Sequence, residues 1–387
     1  MKKALDIVFS VVVIGALTAG LVTALFVKKD INVYENRTAE KFGALTVESF
    51  LSGEFQDSVD VALGDRVYLA EDMKSVYNNV NSAFLKSMIK TTVTKQQVKY
   101  IKLGDRNLIG DNIVWDPSVF EWHEALIIKR ANLYNELMKK HPELEFYLYY
   151  VEKDTDINFE TGKKMGAFEC LRDNLIFDED KIARFEVKGF EDYKTNFFKT
   201  DHHWNHEGAY VAYNDLLRLF KIEDEPIKAN GKVKIADNFA GSKATGEAAG
   251  YTEEFWAYKY NFPKMKVTLT GVQYPDYGCR DEYNAGKKGT ENLSYTDYYG
   301  YDEADIVLDT QNTERDNLLI IGESYDNAVL KLIASHFNRT HCVDLRGYIY
   351  TYGSFSLSEY VEKNDIDKVL FMGNLDYIIL DTFIVED

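Results

Sequence analysis

The chain has 387 residues, of which 45% are hydrophobic and 28% are charged. This composition is typical of a folded protein with room for two domains, and it excludes a disordered chain. The net charge of −18 argues against nucleic acid as the main partner, because no basic excess is available to neutralise phosphates. Cys170, Cys279 and Cys342 lack metal-ligand spacing, so we expect buried structural thiols.

The first candidate element is an apolar run near the start of the chain. Ile7 to Val27 form 21 residues without a charge, preceded by Lys2 and Lys3 and followed by two further lysines. At the rise of a helix this length spans a bilayer, and no clean cleavage site for a signal peptide ends the run. We therefore expect residues 1–30 to be a single membrane anchor. The flanking charges nearly balance, so they do not decide its orientation.

Periodic apolar residues predict a helical segment over 31–92, and a βα pattern after it predicts a mainly parallel sheet. Residues 223–309 lack long apolar runs, and we expect them to be an insertion that packs on the main domain, with short strands near 239–243 and 266–272. The main domain would then consist of residues 93–222 and 310–387. The predicted elements before the insertion are helices over 40–62 and 66–90, a hairpin over 96–109, a helix over 117–140 and a strand over 144–151.

Histidines cluster in one stretch. Asp201, His202, His203 and His206 lie within six residues. A carboxylate two residues from an imidazole can orient it, and the imidazole can then act as a base near neutral pH. Asn205 is a good cap for a helix over 206–220, which places the pair Asp201 and His203 in the preceding loop. The histidine spacing also suits a metal, but no second group of ligands completes a coordination sphere.

A second informative stretch contains a serine on a predicted strand-to-helix turn. An apolar strand ends at Gly322, Ser324 follows, and a helix is predicted over 327–337. Such a turn exposes a serine at the carboxyl edge of the sheet, beside backbone N–H groups that can stabilise an oxyanion. Two further predicted strands, over 340–345 and 367–372, lead to Arg346 and Asn374, which we expect at the same edge. A Gly-x-Ser sequence after a strand is also common as a simple helix cap.

Together these residues predict an active site. Asp201, His203 and Ser324 have the residue types of a catalytic triad, because a serine needs a base and the base needs an orienting carboxylate. Asn374 and the backbone near Gly322 are candidates for the oxyanion hole. Arg346 is either a substrate clamp or the partner of an acidic neighbour. We expect no metal and no cofactor.

The sequence also resembles a known family. Thr200-Asp-His-His-Trp204, followed by Gly208-Ala-Tyr-x-Ala-Tyr213, resembles the signature of the bacterial DHHW proteins, which are similar to the SGNH hydrolase-like alginate O-acetyltransferases. Weaker agreement comes from Glu35-Asn-Arg37, Phe239-x-Gly-Ser242 and Val343-Asp-Leu-Arg346. The resemblance extends in order from about residue 30 to residue 387.

This resemblance implies a three-layer α/β SGNH-like domain, circularly permuted so that Asp-x-His precedes serine, with Asp201, His203 and Ser324 as its triad. It implies a domain outside the cytoplasmic membrane that transfers acetyl groups to, or removes them from, a cell-envelope polysaccharide. A membrane-bound O-acyltransferase would be the acetyl source. Two alternatives stay open: a non-catalytic glycan-binding or scaffold protein of the envelope, and a metal-dependent hydrolase centred on His202, His203 and His206.

Overall fold

The computed structural model describes residues 37–67, 98–278 and 293–380, together with scattered residues between 9 and 32 and between 73 and 80. The chain forms two compact units, residues 1–94 with 244–251 and residues 95–243 with 252–387. The five-part division expected from the sequence stays a prediction.

The first unit contains short elements. Strands β1 (Ile31–Asn32) and β2 (Arg37–Thr38) pair antiparallel, and helices α1 (Val47–Ser52) and α2 (Glu54–Arg66) follow. The helix predicted over 40–62 is therefore wrong in its bounds, because Gly53, with φ of 88°, ends α1 and separates it from α2.

The predicted anchor and the predicted helix over 66–90 lie in part outside the described residues. Within the portion of the chain that the structure describes, no helix has both the length and the apolar character needed to cross a bilayer. The anchor stays a prediction.

The second unit begins with a small antiparallel sheet and continues with the main α/β region. Its first three strands are β3 (Ile101–Leu103), β4 (Arg106–Ile109) and β5 (Asn112–Val114), where the sequence predicted only a hairpin. The next elements in chain order are α3 (Phe120–Lys140), β6 (Glu145–Val151), α4 (Ala167–Asn174), β7 (Ile182–Phe185), α5 (Phe190–Asn196), α6 (His206–Leu219), β8 (Lys232–Phe239) and β9 (Glu253–Tyr258). The remaining elements are β10 (Lys266–Leu269), β11 (Val272–Tyr274), α7 (Tyr295–Tyr299), β12 (Ile306–Asp309), β13 (Leu318–Ile321), α8 (Leu330–Ala334), β14 (Arg339–Val343), α9 (Leu345–Tyr352), α10 (Leu357–Asn364), β15 (Lys368–Gly373) and α11 (Leu375–Ile378).

The main sheet has eight strands in the order β11-β10-β12-β14-β13-β15-β6-β7. The five strands from β14 to β7 are parallel, and β12, β10 and β11 extend the sheet antiparallel at one side. Because neighbouring parallel strands need crossover connections, helices lie between them along the chain.

Two hydrophobic cores cover the two faces of this sheet. Successive residues of each strand point to opposite faces. Leu318 and Ile320 contribute to one core together with residues of α6 and α8, and Leu319 and Ile321 contribute to the other with residues of α3 and α4. The unit is therefore a three-layer α/β structure, as expected.

Part of the predicted insertion belongs to the main sheet. β10 pairs with β11 and β12, and β12 pairs with β14, so residues 266–269, 272–274 and 306–309 extend the sheet instead of packing on it. β10 and β12 have only four residues each, too few for an apolar run to stand out in the sequence. The helix predicted over 327–337 is also wrong in its bounds, since it consists of a 3₁₀ turn at Asp326–Ala328 and the short α8.

Candidate active site

The histidine-rich loop is held at both ends by backbone contacts. Phe197 and Trp204 form an antiparallel bridge across the loop, which brings its ends together. Asn205 then caps α6, because its side-chain oxygen accepts the N–H groups of Glu207 (2.8 Å) and Gly208 (3.2 Å). The loop between bridge and cap therefore has little freedom, as a site loop on a rigid scaffold requires.

Two aromatic side chains join this loop to the serine turn. Trp204 is fully buried, with its ring 5.5 Å from that of Phe185 and edge-on to that of Tyr325 at 5.1 Å. The Tyr325 hydroxyl donates to the backbone carbonyl of His202 at 2.5 Å. The residue after Ser324 thus contacts the loop directly.

The serine turn follows β13 closely. The N–H of Gly322 donates to the carbonyl of Val343 (3.1 Å), so it is not available as an oxyanion donor. A Cβ at Gly322 would lie 2.2 Å from Oδ2 of Asp326, which explains a glycine at this position. We therefore correct the expected role of Gly322: the missing side chain allows the turn that follows the strand.

Asp201, His203 and Ser324 form a continuous chain of hydrogen bonds. Nδ1 of His203 lies 2.6 Å from Oδ1 of Asp201, and Nε2 lies 2.7 Å from Oγ of Ser324. All three residues are buried. With Nδ1–H donating to the carboxylate, Nε2 has a lone pair that accepts the serine proton. This arrangement has the bond lengths that a general base and its nucleophile require.

The carboxylate of Asp201 is fixed by groups beyond the triad. Its Oδ1 also accepts the N–H of His203 (2.9 Å), and its Oδ2 accepts the N–H of Ser242 (2.7 Å). Burial by itself raises the pKa of Asp201, but the nearby imidazoles of His203 and His202 and these hydrogen bonds hold it well below the usual value. A Cβ at Gly241 would lie 2.3 Å from Cβ of Asp201. The neighbouring segment therefore needs a glycine to approach the carboxylate.

The imidazole of His203 lies between two other rings. Tyr295 stacks on it with the ring centroids 3.8 Å apart and the planes inclined by 3°, and the His202 ring lies 3.9 Å away. Two rings so close to a third cannot share one of its faces, so they cover opposite faces. Burial lowers the pKa of His202, which keeps that ring neutral beside the base. His202 also contacts Oγ of Ser242 at 2.6 Å.

Arg346 lies at the start of α9 and is occupied by acidic neighbours. Its Nε donates to both oxygens of Asp344 (3.0 and 3.1 Å), and its guanidinium also contacts Asp302 at 3.3 Å. These ion pairs raise the pKa of Arg346. Of the two roles that the sequence left open, the structure contains the ion pair. A role in substrate binding stays a prediction.

Asn374 caps α11 and contacts Glu323, the residue before Ser324. Its Oδ1 accepts the N–H groups of Asp376 (2.8 Å) and Tyr377 (3.3 Å), while its own N–H donates to Oε1 of Glu323 (2.9 Å). Burial raises the pKa of Glu323 to about 7. Asn374 is therefore next to the serine turn, with its amide oriented by the cap.

The histidines do not assemble the metal site considered from the sequence. Donor atoms of Asp201, His202 and His203 lie within 4.8 Å of one another, but His206 is not part of this group. The carboxylate and His203 already bond each other, so a metal there would have to displace the triad contact. The donor set therefore fits an Asp–His–Ser chain better than a metal centre.

Several residues of the site were not identified from the sequence. The ammonium of Lys243, fully buried, contacts Asp154 and the hydroxyl of Tyr193 at 2.6 Å each, and so anchors the segment that carries the N–H of Ser242. The Phe239-x-Gly-Ser242 motif was a signal for this segment, although it did not indicate a contact with Asp201. Tyr295 had no sequence signal, since nothing distinguishes it from the neighbouring tyrosines Tyr298, Tyr299 and Tyr301.

Known proteins share the fold of this chain. No family model matches it, and no curated protein matches it by sequence. Among solved structures, Bacillus cereus PatB1 with a sulfonyl adduct is similar over 74% of this chain and 100% of its own, with 18% identity and a TM-score of 0.56. A DHHW family protein from Eubacterium siraeum is similar over 74% of this chain and 99% of its own, with 15% identity and a TM-score of 0.54.

The chain has the fold of a DHHW protein. This similarity confirms, for the fold, the resemblance that the Asp-His-His-Trp motif indicated. The O-acetyltransferase domain of Pseudomonas putida AlgJ is also similar, but its TM-score of 0.35 is too low to support a comparison of details. On the DHHW fold of this chain, the motif residues Asp201 and His203 contact Ser324, while Trp204 is a buried anchor.

Proposed function

We propose that the protein is a serine-dependent, SGNH-like O-acetyltransferase or acetylesterase that acts on a cell-envelope polysaccharide, with Asp201, His203 and Ser324 as its triad. The observation that carries this proposal is the pair of hydrogen bonds that His203 makes to Asp201 and Ser324. In the permuted order of such a domain, Asp-x-His precedes the serine, as it does in this sequence.

Acetyl transfer would follow from these contacts in two half-reactions. Nε2 of His203 takes the proton of Ser324 as Oγ bonds to the acetyl carbonyl carbon, and the same proton then leaves with the donor's alkoxide. In the second half, a sugar hydroxyl gives its proton to His203 and attacks the acetyl-enzyme, and Ser324 recovers a proton as it leaves. If water attacks in place of the sugar hydroxyl, the acetyl-enzyme is hydrolysed and the protein acts as an esterase. Asp201 stabilises the imidazolium in both halves.

We assign two candidate donors to the developing oxyanion. The N–H of Ser324 has no acceptor among the described residues, and it lies on the turn that carries the nucleophile. Nδ2 of Asn374 likewise has no acceptor there, while Oδ1 of the same amide is fixed by its cap. Donors that are already oriented lower the cost of charge development in the transition state.

The comparisons support the chemistry at the level of fold. PatB1, which is similar to this chain in fold, carries a sulfonyl adduct in one of its structures. A predicted anchor over Ile7 to Val27 favours a location at the membrane, with the catalytic unit outside the cytoplasm. A membrane-bound O-acyltransferase as acetyl donor is part of the proposal and rests on the resemblance.

Covalent labelling tests the mechanism without knowledge of the natural substrate. Phenylmethylsulfonyl fluoride should add one sulfonyl group to Ser324, measured by intact mass and peptide mapping, and should block hydrolysis of a nitrophenyl acetate reporter. Ser324→Ala should abolish both the label and the catalysed hydrolysis. Ser335→Ala is the matched control, because that hydroxyl only donates to the carbonyl of Lys331 within α8 and its adjoining turn.

Equal reporter hydrolysis by the wild type and Ser324→Ala, with no label on Ser324, would refute the proposed mechanism and favour the non-catalytic glycan-binding or scaffold alternative. Labelling that persists in Ser324→Ala would place the nucleophile elsewhere. Loss of activity on removal of metal ions would favour the metal-dependent alternative.

A further inference from the structure

A row of aromatic side chains follows strand β9 on its outer side. Phe255 and Ala257 point inward and are fully buried, so the residues that alternate with them face the other way. The backbone pairing continues beyond the strand, since the N–H of Lys259 donates to the carbonyl of Gly231 at 2.9 Å. The row that results contains Trp256, Tyr258, Tyr260 and Phe262. We call the last three, which line the pocket described next, the aromatic stripe.

The rings of the aromatic stripe form a connected surface that is only half-buried. The ring of Tyr260 lies 6.3 Å from that of Tyr258 and 5.6 Å from that of Phe262. Tyr210 of α6 packs behind the first two, at 6.0 and 6.2 Å. All three stripe residues keep part of their surface open to solvent. The interior packing therefore leaves one side of this surface uncovered.

The aromatic stripe forms one wall of a pocket of about 420 Å³, including the space open at its mouth. The other walls come from α6, from the turn after Ser324 and from α7. The residues that complete the lining are His206, Ala209, Tyr277, Gly278, Tyr299, Asn327, Ala328 and Lys331.

The pocket lies beside the triad, because the same three segments contribute to both. His206 is three residues after His203, and Asn327 is three residues after Ser324. Tyr299 of α7 packs on Tyr295, which stacks on the catalytic base. The ring contacts from Tyr299 to Tyr295 and from Tyr295 to His203 therefore join the pocket lining to the base.

The charge around the pocket favours an uncharged ligand. Lys331 is the one charged side chain among the described lining residues, and its ammonium contacts Asp276 at 2.7 Å while lying 4.5 Å from the ring centre of Phe262. A polyanion would have to compete with Asp276 for this cation and would meet a chain of net charge −18. Aromatic faces instead suit the C–H face of a sugar ring, which is apolar while its hydroxyl groups stay at the rim.

We propose that the pocket beside the aromatic stripe is a subsite for a pyranose ring of an uncharged glycan, which orients the acceptor chain toward Ser324. This inference rests on the proposed function, and it adds the substrate class and the residues that select it. The aromatic stripe would bind the ring by stacking, and the lack of an unpaired cation in the described lining would select against acidic polysaccharides.

Binding is measured in the full chain carrying Ser324→Ala, so that turnover does not interfere. The probes are chitohexaose and cellohexaose, both uncharged, and an alginate hexasaccharide as the polyanion, each titrated by calorimetry. We expect an uncharged hexasaccharide to bind and the alginate probe to bind at least tenfold more weakly. Tyr260→Ala and Phe262→Ala should each weaken binding by about fivefold to thirtyfold, as expected when an aromatic anchor is truncated.

Three variants keep the test independent of folding defects. Tyr260→Phe keeps the stacking face and should bind nearly as the parent does. Ala328→Leu fills the pocket without removing an aromatic ring and should weaken binding like the alanine variants. Tyr350→Ala is the control, since Tyr350 is 94% exposed on α9 and does not line the pocket. Circular dichroism would confirm the fold of each.

The proposal is overturned if neither uncharged probe binds, if alginate binds best, or if Tyr260→Ala, Phe262→Ala and Ala328→Leu all bind as the parent does. Failure of the proposed function has a different signature. In that case sulfonyl labelling of Ser324 in the otherwise native chain fails while glycan binding persists, whereas failure of the subsite leaves the labelling intact.

Discussion

Tyr295 offers the sharpest test of the proposed mechanism. Its ring lies parallel to the His203 imidazole at 3.8 Å, so it faces the positive charge that forms when His203 takes the proton of Ser324. Tyr295→Leu removes this π face and keeps an apolar side chain. Tyr295→Phe keeps the face and removes a buried hydroxyl that has no hydrogen-bond partner among the described residues. The two variants therefore separate the ring from the hydroxyl.

The expected magnitude follows from the contact. A cation facing an aromatic ring gains about 0.5–2 kcal/mol, and 1.36 kcal/mol corresponds to a factor of ten in rate. Tyr295→Leu should thus slow acetyl-ester hydrolysis by about twofold to thirtyfold at the plateau of the pH profile. Since the imidazolium loses a stabilising contact, the acid limb of kcat/KM should also move to lower pH. Tyr295→Phe should leave the plateau rate and the position of the acid limb close to those of the wild type.

A lower plateau with an unmoved acid limb in Tyr295→Leu would mean that the ring only supports packing, and the electrostatic reasoning would be wrong. Other charges and titrating groups near the base are present in both variants and so cancel in the comparison. They are Asp201 and His202 on the loop, Glu323 and Tyr325 on the serine turn, and Asp302 before β12.

Three further predictions concern the support of the triad. Asp201→Asn should lower kcat by about 10³–10⁴-fold with little change in unfolding temperature, because an amide no longer fixes the tautomer of the base. Burial raises the pKa of Glu323 to about 7, above its unfolded value, so its ionisation opposes folding as pH rises toward and past 7. The unfolding temperature of Glu323→Gln, relative to that of the wild type, should therefore increase between about pH 5 and pH 8. Glu362→Gln changes an exposed carboxyl group and should show no such trend. Gly241→Ala should lower both activity and stability, because the added Cβ meets Asp201 at 2.3 Å, whereas Gly189→Ala adds its Cβ into open space.

Each of these three predictions can be contradicted by a specific result. Activity of Asp201→Asn within tenfold of wild type would remove the carboxylate from the mechanism. A constant stability difference between Glu323→Gln and wild type across that pH range would show that the carboxyl group does not titrate there. Equal behaviour of Gly241→Ala and Gly189→Ala would mean that the segment next to Asp201 can shift without cost.

The sequence predicted the parts of the fold that have strong local signals. The strand that was expected to end at Gly322 occurs as Leu318–Ile321, and the strand expected over 144–151 occurs as Glu145–Val151, because both are rich in apolar residues. The helix after the histidines was predicted because Asn205 is a strong cap and the apolar spacing is regular. Strands β10 and β12 were assigned to the insertion, since four-residue strands in a polar context acquire their place only when β12 pairs with β14 and β10 pairs with β12.

The contacts of the candidate site likewise fall into those that the sequence predicts and those that it does not. Asp201 and His203 are neighbours in sequence, and their pairing can be read from spacing alone. The contact with Ser324 spans 121 residues and was expected only because a strand-to-helix turn presents a serine at the sheet edge. Tyr295 and the N–H of Ser242 reach the triad from segments that have no periodicity related to it. Contacts of this kind depend on tertiary packing, so no local pattern encodes them.

The position of β15 has a consequence for how the protein is made. This strand, Lys368–Gly373, lies between β13 and β6, and it is the only strand among the described residues that joins the β6–β7 side of the sheet to the β13 side. Synthesis runs from the first residue to the last, so a ribosome must translate past Gly373 before the two sides can pair. A chain that stops before Lys368 would lack the strand that pairs with both β6 and β13. Truncation at that point should therefore destabilise the fold and, with it, the contact between His203 and Ser324.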